Sequence, residues 1–297
     1  MKKNDFLDQF YKKRKSLITR LFLSAILVPL SIIIILNFNK EEPFIAKVLI
    51  EGIIQDRKEL LGQINNLVDN KNVKGLITVI NSPGGTYVGS KELYDSIKVL
   101  GEKVPTVVYM KEMATSGGYL VSLSSDKIYG NSGTITGSVG VILQTADISE
   151  LLNKIGINPV IVKSGKLKAV PNPAEKLDEE KLKYLENVIQ KMQNEFLNIV
   201  KEDRNINESV IKIVSDGRIL TGRDAKKLKL IDDIGNEKDA LNWLKNEAGV
   251  EDDIKIKDLS SQPDLRKFLN LSFLKKRINY FNQNFYNGFL AIWTPGI

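Results

Sequence analysis

The 297-residue chain contains no cysteine and no histidine. Without cysteine there is no disulfide framework, no thiolate zinc site, no iron–sulfur cluster and no cysteine nucleophile. Without histidine the commonest general base is gone, so a nucleophilic serine here cannot belong to a Ser-His-Asp triad. Any hydrolytic chemistry would have to draw its base from a lysine, a carboxylate or a metal-bound water. The glycine patterns of nucleotide sites, GxxxxGK[ST] and GxGxxG, are also missing. So are internal repeats and low-complexity linkers.

The net charge of +7 is confined to the two ends. Residues 1–20 hold Lys2, Lys3, Lys12, Lys13, Arg14, Lys15 and Arg20 against Asp5 and Asp8. Residues 262–297 hold Arg266, Lys267, Lys275, Lys276 and Arg277 against Asp264, and the middle is slightly acidic. A nucleic-acid footprint would lie on the folded domain, so this distribution argues for a membrane and for no nucleic-acid partner. Between Leu21 and Phe38 the chain reads LFLSAILVPLSIIIILNF without a charge. As a helix that run is about 27 Å long, close to the thickness of a bilayer's hydrocarbon core. No small-residue cleavage site follows it, which predicts an uncleaved signal anchor over 21–39. The positive-inside rule then puts the basic segment 1–20 in the cytoplasm and the rest outside. The expectation is a single-pass protein of a bacterial plasma (inner) membrane, with membrane lipid as one partner.

The middle of the chain predicts an α/β domain over 44–258. Phe44–Ile54, Gly75–Asn81, Pro105–Met110, Asp126–Tyr129 and Pro159–Lys163 are short, apolar and β-branched, as strands are. Helix-period stretches at 57–69, 87–100, 116–124 and 147–155 separate them, the pattern of βαβ units on a parallel sheet. A long amphipathic helix over 178–204 presents Leu182, Leu185, Ile189, Met192, Phe196, Ile199 and Val200 on one face, for its own domain or for an oligomer. The basic, aromatic-rich tail 262–297 suits a membrane interface, a neighbouring subunit or an active site entered as self-substrate.

Three glycine-rich turns stand out: Asn81-Ser82-Pro83-Gly84-Gly85-Thr86, Thr115-Ser116-Gly117-Gly118-Tyr119 and Thr136-Gly137-Ser138-Val139-Gly140. Paired glycines let backbone N–H groups approach a ligand, and helix N-termini aim them at negative charge. Such turns can build an oxyanion hole. Ser116, opening an apolar helix, is then a nucleophile beside that hole, although a serine there is also an ordinary N-cap.

In their order and spacing, INSPGG at 80–85, ATSGGY at 114–119, TITGSVGVI at 134–142, KSGKLKAV at 163–170 and DGRILTG at 216–222 resemble the signal peptide peptidase A family. The resemblance implies a ClpP/crotonase-like spiral of βαβ units, preceded here by the one transmembrane helix, and assembly into a homo-oligomeric ring or dome. It implies a Ser/Lys dyad without metal or cofactor. Carried onto this sequence, Ser116 is the nucleophile, Lys168 the base and Ser138 the residue that orients the lysine. The oxyanion donors are the N–H groups of Gly117 and Gly85, with Gly84 the alternative. Two positions depart from the family pattern: Leu120 replaces an aromatic, and Lys229 stands where a glycine often precedes Leu-Val-Asp. The implied substrates are hydrophobic peptides such as signal-peptide remnants. A lysine works as a base only when neutral, and burial in an apolar site would favour that form; Lys166, two residues earlier, has no such role. The alternatives are a non-catalytic peptide-binding scaffold of the same fold and an acyl-coenzyme A enzyme.

Overall fold

The computed structural model describes residues 42–260, the backbone of 290–292, and Phe22, Ala25 and Pro29 of the predicted anchor. The chain divides into the units Met1–Pro43 and Phe44–Ile297. In the first, Phe22, Ala25 and Pro29 are helical and Glu42 and Pro43 are not, and the remainder of the span predicted over 21–39 lies outside the described residues. Among the described residues no helix is long and apolar enough to cross a membrane.

In the second unit the order is β1 (Phe44–Glu51), α1 (Lys58–Val68), β2 (Val73–Ser82), β3 (Gly84–Thr86), α2 (Tyr87–Gly101), β4 (Thr106–Thr115), α3 (Gly117–Ser122), β5 (Lys127–Gly130) and β6 (Ile135–Gly137). Then come α4 (Ser149–Lys154), α5 (Glu179–Arg204), α6 (Glu208–Val214), β7 (Ile219–Thr221), α7 (Gly222–Lys227), β8 (Asp233–Ile234), α8 (Glu237–Ala248), β9 (Lys255–Asp258) and β10 (Leu290–Ile292). The eight-stranded sheet runs β7-β6-β4-β2-β1-β9, with β5 pairing to β4 and to β8. The pairs are parallel except for β6 with β7. The chain is thus α/β with a mostly parallel sheet.

Side-chain alternation explains why both faces of the sheet are covered. On β1, Phe44, Ala46, Val48 and Ile50 enter one core with α1, α2, α3 and α5, whereas Ile45 enters a second core with Ala240 and Leu244 of α8. On β2, Leu76 and Ile80 face the first core, Ile77 and Val79 the second. That is the period of two that a strand imposes. Gly75 makes room for α8, since a Cβ there would sit 3.0 Å from the Leu244 side chain.

Local signals set the helix ends close to where periodicity placed them. Thr86 caps α2 by accepting from the Gly89 N–H at 3.2 Å. Asp178 caps α5 by accepting from the Lys181 N–H at 3.0 Å, and Asn205 ends that helix in the left-handed conformation. The apolar face of α5 packs on its own domain through Leu185, Ile189, Met192, Phe196, Ile199 and Val200, but Leu182 is exposed.

One predicted strand is absent. Residues 159–163 form no strand, and Val160 and Val162 are 89% and 94% exposed. The β-branched composition is right for pairing, but beyond Ile142 the chain leaves the sheet, and among the described residues no strand pairs with the arm over 143–178. Strand propensity needs a partner before it becomes structure.

Candidate active site

Ser116 stands between the end of β4 and the start of α3, at φ 53° and ψ −116°. A non-glycine residue held there costs roughly 1–3 kcal/mol, which the surroundings must offset. They do so through its N–H, which donates to the Gly137 carbonyl at 2.8 Å, and its carbonyl, which accepts from Leu120 at 2.9 Å. The residue is 1% exposed. Its hydroxyl is held only loosely, 3.4 Å from the Gly140 carbonyl oxygen. Leu120 is the first residue of α3 to reach back to Ser116, so the N–H of Gly117 opens the helix without an intrahelical partner.

The SPGG turn lies against this corner because Ser82 of β2 pairs in register with Ala114 of β4. Gly118 allows the approach: a Cβ on it would come within 3.0 Å of the Ser82 carbonyl oxygen. The Ser82 hydroxyl shapes the turn, donating to Gly52 O at 2.6 Å and accepting from Gly84 N at 3.0 Å. Gly84 takes φ 98°, which only glycine adopts freely. Gly85 is packed harder still, since a Cβ would lie 1.8 Å from the Ile54 carbonyl oxygen. One edge of β3 is bonded to Ile54, by Ile54 N to Gly84 O and Thr86 N to Ile54 O, both 2.8 Å. The other edge carries β10 antiparallel, with Leu290, Ala291 and Ile292 opposite Thr86, Gly85 and Gly84. Of the tail, this short strand is the part within the described residues.

Ser138 follows β6, whose Gly137 pairs with Thr115, so the two serines occupy neighbouring strand ends. Ser138 also has a positive φ, 52°, and its N–H donates to the Arg218 carbonyl at 2.8 Å. The DGRILTG segment thereby gains a role that its sequence did not disclose. It forms β7 against β6 and holds the Ser138 turn in place, while Arg218 is paired with Asp216. A second support also escaped the sequence. Tyr119 donates its hydroxyl to Leu230 O at 3.0 Å, and Arg204 grips Asp232 through two hydrogen bonds of 3.1 and 2.7 Å. Burial pushes the Tyr119 hydroxyl well above the ordinary tyrosine range, so it stays a donor. Lys229 beside this latch has φ 60°, which is why a glycine suits that position and why a lysine changes only the turn.

The structure brings together Ser116, Gly117, Ser138 and Gly85, but not Lys168. Lys168 is exposed on the arm, in turns closed by Lys168 N to Gly165 O and Val170 N to Leu167 O. Among the described residues its ammonium group makes no hydrogen bond or ion pair, whereas Lys166 is paired with Glu180. Within one copy, the apolar, water-poor setting expected of a lysine base is not met. Among the described residues there is also no cluster of three acidic side chains suited to a metal.

Residues 98–251 match the family model described as peptidase family S49. A protease-named relative from Methanocaldococcus jannaschii is 34% identical over 196 residues, covering 66% of this chain and 63% of that one. A protease-named relative from Synechocystis is 36% identical over 211 residues, covering 70% and 76%. An Enterococcus faecium relative named as a signal peptide peptidase is 35% identical over 222 residues, covering 70% and 64%. The chain thus spans a little under two thirds of the first and third. Among solved structures, the 1510-N membrane-bound stomatin-specific protease aligns at TM-score 0.48 and 15% identity, covering 75% of this chain and all of that one. ClpP1 of Listeria monocytogenes aligns at 0.43 and 18%, covering 66% and 94%.

Proposed function

Because the chain belongs to peptidase family S49, the family of signal peptide peptidase A, we propose that it is a membrane-anchored serine endopeptidase with a Ser116/Lys168 dyad. The observation that carries the reading is Ser116 itself: a buried serine held at positive φ on a strand-to-helix corner, with the Gly117 N–H and the β3 turn beside it. Strain of this kind persists where surroundings over-determine it, and reacting centres are the usual place. The second edge of β3 supports a peptide substrate, because an extended segment of the chain itself lies there antiparallel, as an added strand would.

In the proposed reaction the neutral Lys168 amine takes the Ser116 proton as Oγ bonds to the scissile carbonyl carbon. The Gly117 and Gly85 N–H groups bind the resulting oxyanion, and Ser138 orients the lysine. Collapse breaks the C–N bond, and the lysine ammonium protonates the leaving amine. Water then attacks the acyl-enzyme, giving its proton to Lys168, and the acid is released with Oγ reprotonated. No cofactor or metal enters. The substrates are hydrophobic peptides such as signal-peptide remnants, held in the plane of the membrane by an anchor at 21–39. Residues 1–20 lie in the cytoplasm and the catalytic domain outside, in a bacterial inner membrane.

The separation of Lys168 from Ser116 supports a homo-oligomer of the ring or dome type. The arm that carries Lys168 exposes Leu151, Ile155, Ile157, Val160 and Val162. Seating that apolar arm on a second copy would bury it and place Lys168 in the dry setting that favours its neutral form. The same separation also suits a non-catalytic scaffold.

Fluorophosphonate labelling and hydrolysis of a signal-peptide remnant test both readings. Wild type should label at Ser116, and Ser116→Ala and Lys168→Ala should each be inactive. Mixing the two inactive variants should restore part of the activity, since one copy supplies the serine and the other the lysine. A wild-type chain that never labels would favour the scaffold. Lys168→Ala that labels like wild type would overturn the dyad, and a mixture that stays inactive would overturn the shared site.

A further inference from the structure

The lysines around Lys168 are sorted in a way that the dyad alone does not explain. Lys163 and Lys181 converge on one carboxylate, Glu175, with Lys181 Nζ 2.8 Å from Oε1 and Lys163 bound to Oε2. Their side chains are only 12% and 9% exposed, so both ammonium groups have lost most of their water. Lys181 also donates to Lys176 O at 2.9 Å and lies 3.4 Å from Asp178, the cap of α5. Glu175 thus ties the strand-like 159–163 segment to the first turn of the long helix.

Lys168 sits inside the loop that this contact closes, five residues after Lys163 and seven before Glu175. The foot of the loop is fixed by further bonds. Ile148 N donates to Pro173 O at 2.8 Å, Ala174 N to Asn172 Oδ1 at 3.0 Å and Leu177 N to Asp147 Oδ2 at 3.3 Å. Glu175 makes no hydrogen bond or ion pair with Lys168, so it acts through the loop.

We propose that Glu175 is the positioning residue for Lys168: by clamping Lys163 and Lys181 it closes the loop that presents the base and keeps its own carboxylate away from that base. The second part follows from charge. A carboxylate paired with Lys168 would hold it as the ammonium ion, which cannot accept the serine proton. Glu175 is engaged by two lysines and Glu180 by Lys166, so neither of these carboxylates is paired with Lys168. The hydrogen bonds from Lys163 and then Lys181 hold the Glu175 carboxyl below the usual range, so it remains charged at neutral pH. A neutral group in its place takes the carboxylate from Lys163 and leaves Lys181 with Asp178 and the Lys176 carbonyl, so the tie is lost and the loop opens.

This inference rests on the Ser116/Lys168 reading, and the test separates the two. In the full-length protein, kcat and KM for a signal-peptide remnant, Ser116 labelling rate and thermal midpoint are measured for wild type, Glu175→Gln, Glu175→Asp, Lys168→Ala and the distant surface variant Lys201→Ala. Glu175→Gln should lower kcat and labelling by about tenfold or more, the scale of a misplaced catalytic group. KM should stay within about twofold and the midpoint should hardly move, because the loop is a surface arm. Glu175→Asp should recover part of the loss, and Lys201→Ala should match wild type. If Glu175→Gln does not fold, Lys163→Gln and Lys181→Gln take its place, each leaving one ion pair on Glu175. Wild-type kcat in these variants beside an inactive Lys168→Ala overturns the clamp and leaves the dyad standing. An active Lys168→Ala overturns both.

Discussion

Gly85→Ala separates a packing role from a chemical one at the oxyanion turn. The added Cβ would lie 1.8 Å from the Ile54 carbonyl oxygen, where real contacts almost never fall below 3.0 Å, and the blocking atom is backbone. The strand must therefore move by about 1 Å or more, and the bonds Ile54 N to Gly84 O and Thr86 N to Ile54 O, both 2.8 Å, will be lost or stretched. Two such bonds are worth about 1–3 kcal/mol net. In a domain of this size that lowers the thermal midpoint by about 2–12 °C. An oxyanion donor is worth far more in rate, about 100- to 1000-fold in kcat. The expected result is a folded protein, modestly less stable, whose Ser116 labelling and peptide hydrolysis fall by at least 100-fold. Gly62→Ala on α1 is the control, because a Cβ there meets nothing within 4 Å. Scanning fluorimetry and fluorophosphonate labelling read the two effects separately. Activity within about threefold of wild type would refute the placement of the donor on β3, whatever the midpoint.

Two further outcomes follow from the same geometry. Arg204→Ala removes a side chain that is 10% exposed and leaves Asp232 with only the Ile128 N–H at 2.8 Å. Denaturant unfolding should show a loss of about 3 kcal/mol, the low end for breaking a buried pair because Asp232 keeps some water; a loss under 1 kcal/mol would contradict the latch. Deleting residues 289–297 removes β10 from the edge of β3, so KM for a hydrophobic peptide should fall several-fold with kcat nearly unchanged. An unchanged KM would mean that peptides do not dock on that edge.

Much of the fold was legible because its signals are local. The short apolar, β-branched runs of 44–54 and 75–81 and the helical period of 178–204 need no knowledge of distant residues. Ser116 was legible for a similar reason: a strand, a serine, two glycines and an apolar helix state their geometry in one short segment. The DGRILTG segment was visible as a motif, yet its work is done by a carbonyl, that of Arg218, which no side-chain pattern reports. The strand expected at 159–163 failed for a different reason. Valine and isoleucine state a preference for pairing, but the pairing partner lies on another element, and among the described residues the sheet offers none. Likewise the spacing from Ser116 to Lys168 says nothing about whether both belong to one site in one copy.

Backbone strain ties these observations together. Among the described residues five non-glycine residues have positive φ: Ser116, Ser138, Ala169, Asn205 and Lys229. Asn205 and Lys229 are explained by local chain reversal, one ending α5 and the other closing the turn after α7. Ser116 does cap α3, but the caps of α2, α5 and α6 are extended, so a helix start does not demand its positive φ, and a sheet of this order would form with glycine at Ser116 or Ser138. Each instead turns its residue out of a strand end beside the other, with its N–H secured by a neighbouring carbonyl. Ala169 places the third strained backbone directly after Lys168, on the arm. A fold selected for stability alone would relax these positions, because each costs about as much as a lost hydrogen bond or more. Ser116, Ser138 and the residue after Lys168 are also the positions that the proposed reaction draws on, and that coincidence supports the proposal. Under the proposed shared site, the same strain would hold the exposed arm in a fixed shape before a second copy receives it.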